Sequence, residues 1–180
     1  MALAVIGSEP ILDISEDSKL GNALSRFYDP ARQAVLEEGE WSFALKHFTL
    51  NLSADDNETD YAYMYVLPAD CITPVMLEGY DNYTFEIMGD YLYSNLPDAV
   101  LKYVWNIEDT TKFSPGFARA LAHRLASDLA VYFKDKDAAN YLQLYMLELR
   151  KALGKNVQYR RNNKMIKYPI EYTRFQVRGY

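Results

Sequence analysis

Hydrophobic side chains recur at helical spacing in two long stretches towards the end of the chain. From Phe117 they repeat every four residues to Phe133, beside alanines that permit close packing, and a serine and a proline precede them as N-cap and first-turn residue. A second stretch runs to about Ala152, where Gly154 is expected to end it. The two patterns are separated by a short charged segment and predict a long antiparallel helical hairpin.

The N-terminal part carries a weaker helical pattern that is interrupted by a proline. An apolar stripe over residues 16–27 predicts a helix with Ser15 or Asp17 as its N-cap. Asp29 followed by proline then predicts the start of a separate helix, because these residue types are favoured at the N-cap and the first helical position. We expect Gly39 to close it.

Alternation of apolar and polar side chains predicts strands in the middle of the chain. Residues 41–50 and 61–67 both alternate, and the acidic segment 55–60 between them indicates a hairpin with a solvated loop. Asp70 is well placed to cap a short turn or helix over residues 71–77.

Three further β-rich stretches follow, at 83–88, 91–95 and 100–107. Gly89 and Asp90 between the first two predict a tight hairpin. The patterns together predict an α+β fold that is mainly α. We expect a long helical hairpin and antiparallel β structure at about 41–107.

Charge divides the 180-residue chain into two parts. Residues 154–180 hold seven basic side chains against one acid, whereas residues 1–153 hold 12 basic and 24 acidic side chains. The basic part has few aliphatic residues and no helical stripe, so we expect a folded domain over 1–153 and an extended basic C-terminal arm over 154–180. Sixteen tyrosines also favour surfaces that become buried against other proteins.

Side chains that could carry chemistry are scattered. His47 and His123 lie on unrelated segments without a recognised metal-ligand spacing, and the 55–60 segment lacks the glycine and closing glutamate of a calcium loop. Cys71 has no basic neighbour in sequence and is expected to be a small buried residue. No phosphate loop or nucleophile elbow is present. We therefore predict no catalytic, metal or cofactor site and a non-enzymatic role.

The first residues and the single cysteine give a prediction of the cellular compartment in which the protein is found. The apolar start of the chain spans only six residues and has no basic segment before it, which predicts neither a signal peptide nor a membrane span. One cysteine permits no intrachain disulfide, which fits a reducing cytoplasm. We expect no membrane partner.

Four segments form a combination whose order and spacing are more specific than any one of them: Phe27–Arg32, Trp41–Ala44, Tyr65–Cys71 and Phe113–Ala122. In these segments the chain resembles the head-to-tail adaptors of short-tailed bacteriophages, the tail tubular protein A or gatekeeper family. The strongest single element is Leu-Pro-Ala-Asp after the tyrosine-rich strand.

The resemblance implies a helical bundle with a small antiparallel β-rich insertion at about 41–107. It also implies a structural virion protein of the tail connector, made in the host cytoplasm. Such a protein forms a ring, a dodecamer in the family, beneath the portal protein, binds the tail nozzle below, and helps to retain and conduct the genome without sequence-specific DNA binding. The acidic balance of residues 1–153 suggests a channel wall along which DNA slides without being gripped.

The arm is the predicted partner-binding site, with the portal or a neighbouring subunit as its target. Basic side chains are expected to pair with acids and tyrosines to supply anchor area. The residues are Tyr159, Arg160, Arg161, Lys164, Lys167, Tyr168, Tyr172, Arg174 and Tyr180. Two alternatives remain open: a cell-wall hydrolase activity carried by a tail adaptor, and a nucleic-acid-binding accessory protein that uses the arm.

Overall fold

The computed structural model describes residues 1–8, 16–78 and 84–165, the last six of these by backbone alone. The helices are α1 (Ala2–Val5), α2 (Lys19–Glu37), α3 (Pro115–Tyr132) and α4 (Ala138–Met165). The strands are β1 (Leu45–Thr49), β2 (Asn51–Leu52), β3 (Tyr63–Val66), β4 (Cys71–Leu77), β5 (Phe85–Met88), β6 (Tyr91–Ser94) and β7 (Val100–Trp105).

These elements form three layers. One antiparallel sheet has the strand order β1-β7-β4 and the other has the order β2-β3-β6-β5. The three-stranded sheet lies between the helices and the four-stranded sheet, because alternate residues of β7 face opposite ways. Val104 packs into the cluster formed with the helices, whereas Leu101 and Tyr103 pack into a second cluster between the two sheets. The chain passes from one sheet to the other at buried Leu50.

The predicted helical hairpin is confirmed. Ser114 caps α3 by accepting a hydrogen bond from the Phe117 amide at 3.2 Å, and the predicted stripe on α3 is largely buried. A Cβ added at Gly116 would lie 3.0 Å from the Ala152 Cβ, so the glycine permits close approach of α3 and α4. Gly154 does not end α4, which continues to Met165.

The predicted helix break at Pro30 is wrong. One continuous helix, α2, includes Pro30 in its interior, and it is capped by Ser18, whose hydroxyl accepts from the Gly21 amide at 3.0 Å. The Asp29 carboxylate, predicted to be an N-cap, instead accepts hydrogen bonds from Arg32. Burial of the α2 face against the sheet and α3 outweighs the hydrogen bond that the proline cannot make.

The first predicted strand is correct only in part. Residues 42–44 form a 3-10 turn, and β1 pairs with β7 rather than with the next strand along the chain. The hairpin across the acidic loop is limited to β2 and β3. The tight hairpin at Gly89 and Asp90 is confirmed, because Met88 pairs directly with Tyr91 and Gly89 has φ +59°.

The expected helical bundle with a small β insertion is wrong, since the chain has a mixed α+β fold with two antiparallel sheets. Residues 71–77, predicted to form a turn or helix, are the strand β4 and complete the three-stranded sheet. β-branched side chains in this segment suit a strand, and Pro74 is tolerated because β4 is at a sheet edge.

Candidate assembly surfaces

The segment Phe27–Arg32 forms a polar connection between α2 and the end of β7. Arg32 is only 1% exposed, and its Nη1 atom donates to the Asn106 Oδ1 atom at 2.7 Å and to the Ile107 carbonyl at 2.6 Å. Its Nη2 atom lies 3.1 Å from the Asp29 carboxylate. The guanidinium therefore satisfies groups on two elements at once, which only a forked donor can do.

The segment Tyr65–Cys71 is held by a second polar cluster. The Asp70 carboxylate accepts from Lys46 Nζ at 2.6 Å and from the Tyr103 hydroxyl at 2.8 Å, and its backbone carbonyl accepts from the Asn106 amide at 2.8 Å. Lys46 Nζ also lies 3.6 Å from the centre of the Trp105 ring. Asn106 thus links this cluster to Arg32.

Burial and hydrogen bonding act on the pKa of the Asp70 carboxyl in opposite directions. Burial raises the pKa of Asp70, but the hydrogen bonds from Lys46 and Tyr103 outweigh it, so the pKa lies below its ordinary value of 3.8. Burial, followed by the nearby Asp70 charge, raises the pKa of the Cys71 thiol to about 11. Cys71 is half-buried and poorly suited to act as a nucleophile.

The remaining two segments of the resemblance pack against each other. The Phe117 ring lies edge-on to Trp41 at 5.0 Å between ring centres and also contacts Phe43 and Phe113. The Trp41 indole donates to the Val35 carbonyl at 2.9 Å. All four segments therefore supply contacts that join elements of the fold.

The predicted partner-binding arm starts on a helix. Tyr159 lies on α4 and is 68% exposed. Residues 154–165 are helical, so the expectation of an extended arm is wrong over this range. The backbone of α4 includes Arg160, Arg161 and Lys164. The rest of the predicted site lies outside the described residues: Lys167, Tyr168, Tyr172, Arg174 and Tyr180.

Helix α4 carries an apolar strip that is exposed at both of its ends. Residues at 4-3-4-4 spacing share one side of the helix: Leu142, Met146, Leu149, Leu153 and Val157. We call this set the α4 flank. Leu142 is 40% exposed, Met146 is 57% exposed and Val157 is 45% exposed, whereas Leu149 and Leu153 are partly buried against the cluster formed with the helices. The spacing continues past Gly154, and this signal could have identified the flank.

A groove of about 670 Å³ lies between the edges of the two sheets. Its walls are β4 on one side and the β5–β6 hairpin on the other, and the segment joining β3 to β4 forms its floor. The lining side chains are mainly apolar. No sequence signal identifies this groove, because β4 and β5 are brought together by sheet order.

The structure groups no set of three or more His, Cys, Asp or Glu side chains for a metal ion within its described ranges. The His47 Nδ1 atom lies 2.5 Å from the Glu78 carboxylate, while His123 is on α3. Among the described helices, none is both long and apolar enough to cross a membrane.

No protein-family model matches the chain, and no curated protein sequence does.

Proposed function

We propose that the chain is a structural subunit of a bacteriophage tail connector, which forms a ring between the portal protein and the tail nozzle. The observation that carries the proposal is the α4 flank. Its exposed members, Leu142, Met146 and Val157, are costly to leave in water and mark a surface that packs against another protein. In a ring, this surface contacts the neighbouring copy.

The four segments of the resemblance support the same proposal through the contacts that they form within the fold. They form the polar connections through Arg32 and Asp70 and the aromatic cluster around Phe117. Residues of this kind specify a fold and not a ligand, so these segments support the resemblance through the contacts that they form within the chain. The ring then presents the acidic part of the chain to the genome in its lumen, where charge repulsion favours sliding over binding.

The proposal is tested by assembly on the portal protein of the same phage. The double variant Leu142→Glu/Met146→Glu places charge on the α4 flank, and we expect it to lose the ring while it remains folded. Native mass spectrometry of the mixture reports the number of copies bound, and circular dichroism reports the fold. Exposed positions of this kind change the free energy of unfolding by about 0.5 kcal/mol or less.

The matched control is Gln143→Glu/Gln158→Glu, which adds the same charge to exposed positions elsewhere on α4. It should assemble like the unchanged chain. Full assembly of the Leu142/Met146 variant would contradict the proposed interface. Failure of the unchanged chain to bind the portal would contradict the function, and clearing of a cell-wall gel or a salt-dependent shift of short DNA would favour the alternatives.

A further inference from the structure

The groove between the sheets lies beside an unpaired strand edge. In the four-stranded sheet β5 is the last strand, and within the described part of the chain no strand pairs with its free edge. β5 has no proline, unlike β4, in which Pro74 lacks an amide hydrogen. An unprotected edge of this kind accepts a further strand through backbone hydrogen bonds.

The groove offers apolar contact and negative charge to that strand. Ile87 on β5 is 38% exposed and pairs in register with buried Leu92, so it is on the face that is turned towards the three-stranded sheet and lines the groove. Asp90 also lines the groove, and the exposed Glu86 lies on the opposite face of β5, beside the outward face of an added strand. A fitting occupant has apolar side chains and basic ones.

The chain itself contains such a segment, outside the described residues. Residues 166–180 include three basic side chains and one acidic one, and they are rich in the aromatic and β-branched types that favour strands. Apolar Ile170 and Tyr172 alternate with polar neighbours, while Arg174 and Arg178 supply positive charge. The composition matches the apolar groove and its acidic residues.

The length of α4 beyond its last buried contact favours docking of residues 166–180 in the groove of another copy over docking in the groove of their own copy. Asn156 is the last described α4 residue that is buried, and it binds the body through the Ser42 amide at 2.9 Å and the Glu40 carbonyl at 2.7 Å. The following three residues are exposed, and the helix continues to Met165. Nine further helical residues extend it by about 14 Å. The segment 166–180 therefore starts well beyond the last buried contact.

We propose that residues 166–180 of one copy bind as an added strand beside β5 in the groove of a second copy. This rests on the proposed function only in requiring neighbouring copies, because it fixes where the basic segment docks on the adjacent subunit. Such an exchange joins copies independently of the α4 flank and leaves each subunit tied to its neighbour.

Photo-crosslinking of the full-length chain tests the proposal. The photoreactive residue p-benzoylphenylalanine replaces Ile87 in one sample and Met88 in the other. Met88 is the matched control, because it is 39% exposed but lies on the opposite face of β5. Samples are irradiated at high protein concentration, both alone and with the portal protein. Dimers are measured on denaturing gels, and crosslinked peptides are mapped by mass spectrometry.

We expect the Ile87 probe to give several-fold more dimer than the Met88 probe, with the crosslinks mapping to residues 166–180. The variant Glu86→Lys/Asp90→Lys should lower this yield several-fold, whereas Glu58→Lys/Asp60→Lys in the exposed β2–β3 loop should not. Three results would overturn the proposal: equal dimer yields from the two probes both with and without the portal protein, crosslinks within one copy, or crosslinks to other segments. The samples irradiated without the portal protein do not depend on portal binding, so a failure of the proposed function remains distinguishable.

Discussion

Arg32 shows how a single side chain holds two elements of this fold together. It is almost fully buried although it carries a charge, and its donors are used by Asp29 on α2 and by Asn106 and Ile107 after β7. Buried charges are tolerated only when they are paired and hydrogen-bonded. The resemblance singled out this segment, but the sequence alone did not show that its arginine would be buried.

We predict that Arg32→Met lowers the free energy of unfolding by about 3 kcal/mol, since the Asn106 side chain and the Ile107 carbonyl lose their donor. Arg32→Lys should recover only part of this, because an ammonium cannot reproduce the fork. Urea denaturation measures both. The control is Arg26→Met on the exposed side of α2, with an expected change of about 0.5 kcal/mol or less. Equal effects at both positions would contradict the assigned role.

Asp70 makes the stability of the fold depend on pH. Its pKa is lower in the folded chain than its ordinary value of 3.8, so the folded state binds the proton more weakly than the unfolded state. The contribution is present above about pH 4 and is lost as the pH falls through the folded pKa. Lys46 and Tyr103 are the groups that cause the lowering.

The expected result is that Asp70→Asn removes part of the acid sensitivity. At neutral pH it should lower the free energy of unfolding by about 2 kcal/mol, because the buried Tyr103 hydroxyl and Lys46 lose a charged acceptor. Between about pH 5 and pH 3 its melting temperature should fall less steeply than that of the unchanged chain. Glu58→Gln in the exposed loop should keep the original slope. Parallel slopes for Asp70→Asn and the unchanged chain would rule out this linkage.

At the scale of elements, local patterns predicted most of the secondary structure but not its pairing. The stripe on α3, the α3–α4 hairpin and the β5–β6 turn all follow from residues close in sequence, such as Ser114 and Gly89. The pairing partners of β1 and β4 do not follow from nearby residues, because both strands pair with β7, which lies far along the chain. Long-range pairing depends on which apolar faces can be buried together, and a single sequence does not specify it.

Helix α2 is the clearest case in which tertiary packing overrides a local signal. Asp29 and Pro30 are the preferred start of a helix, yet the helix begins at Lys19 and runs through them. Its buried residues lie on both sides of the proline, from Gly21 to Leu36. Packing of this whole face favours one helix over two.

Replacement of Pro30 should therefore stabilise the chain. Pro30→Ala restores an amide that can donate to the carbonyl four residues earlier, so we expect the free energy of unfolding to rise by about 1 kcal/mol or more. Thermal melting measures the change. The matched control is Pro115→Ala at the first position of α3, where the missing amide has no helical partner and no gain is expected. No gain from Pro30→Ala would indicate two helices instead of one.

At the scale of the whole molecule, the composition of the sequence shows how charge is distributed but not how the sheets and helices are arranged. The contrast between the acidic residues 1–153 and the basic residues 154–180 is visible in composition. The sequence could not show that the helix carries the first part of the basic segment away from the body. It also could not reveal the groove, which exists only because two sheets stack with β4 and β5 at their edges. The charge contrast thus motivates the proposal of a partner for the basic segment, and the sheet order supplies the groove in which we propose that it binds.

The last folded contact on α4 determines where the body of the molecule ends. Gly154 was predicted to end the helix, but Asn156 beyond it donates to the Glu40 carbonyl and accepts from the Ser42 amide. A chain ending at Gly154 loses both hydrogen bonds, each worth about 1 kcal/mol. A chain ending at Met165 keeps them.

We therefore predict that the chain ending at Met165 melts at the same temperature as the full-length chain. The chain ending at Gly154 should melt about 4–8 °C lower, since each kcal/mol shifts the melting temperature of a protein of this size by about 2–4 °C. Asn156→Ala in the full-length chain should reproduce most of that loss. If both truncated chains were equally stable, the body would end before Asn156. The Met165 truncation is then the correct one for testing partner binding, because it removes residues 166–180 without disturbing the fold.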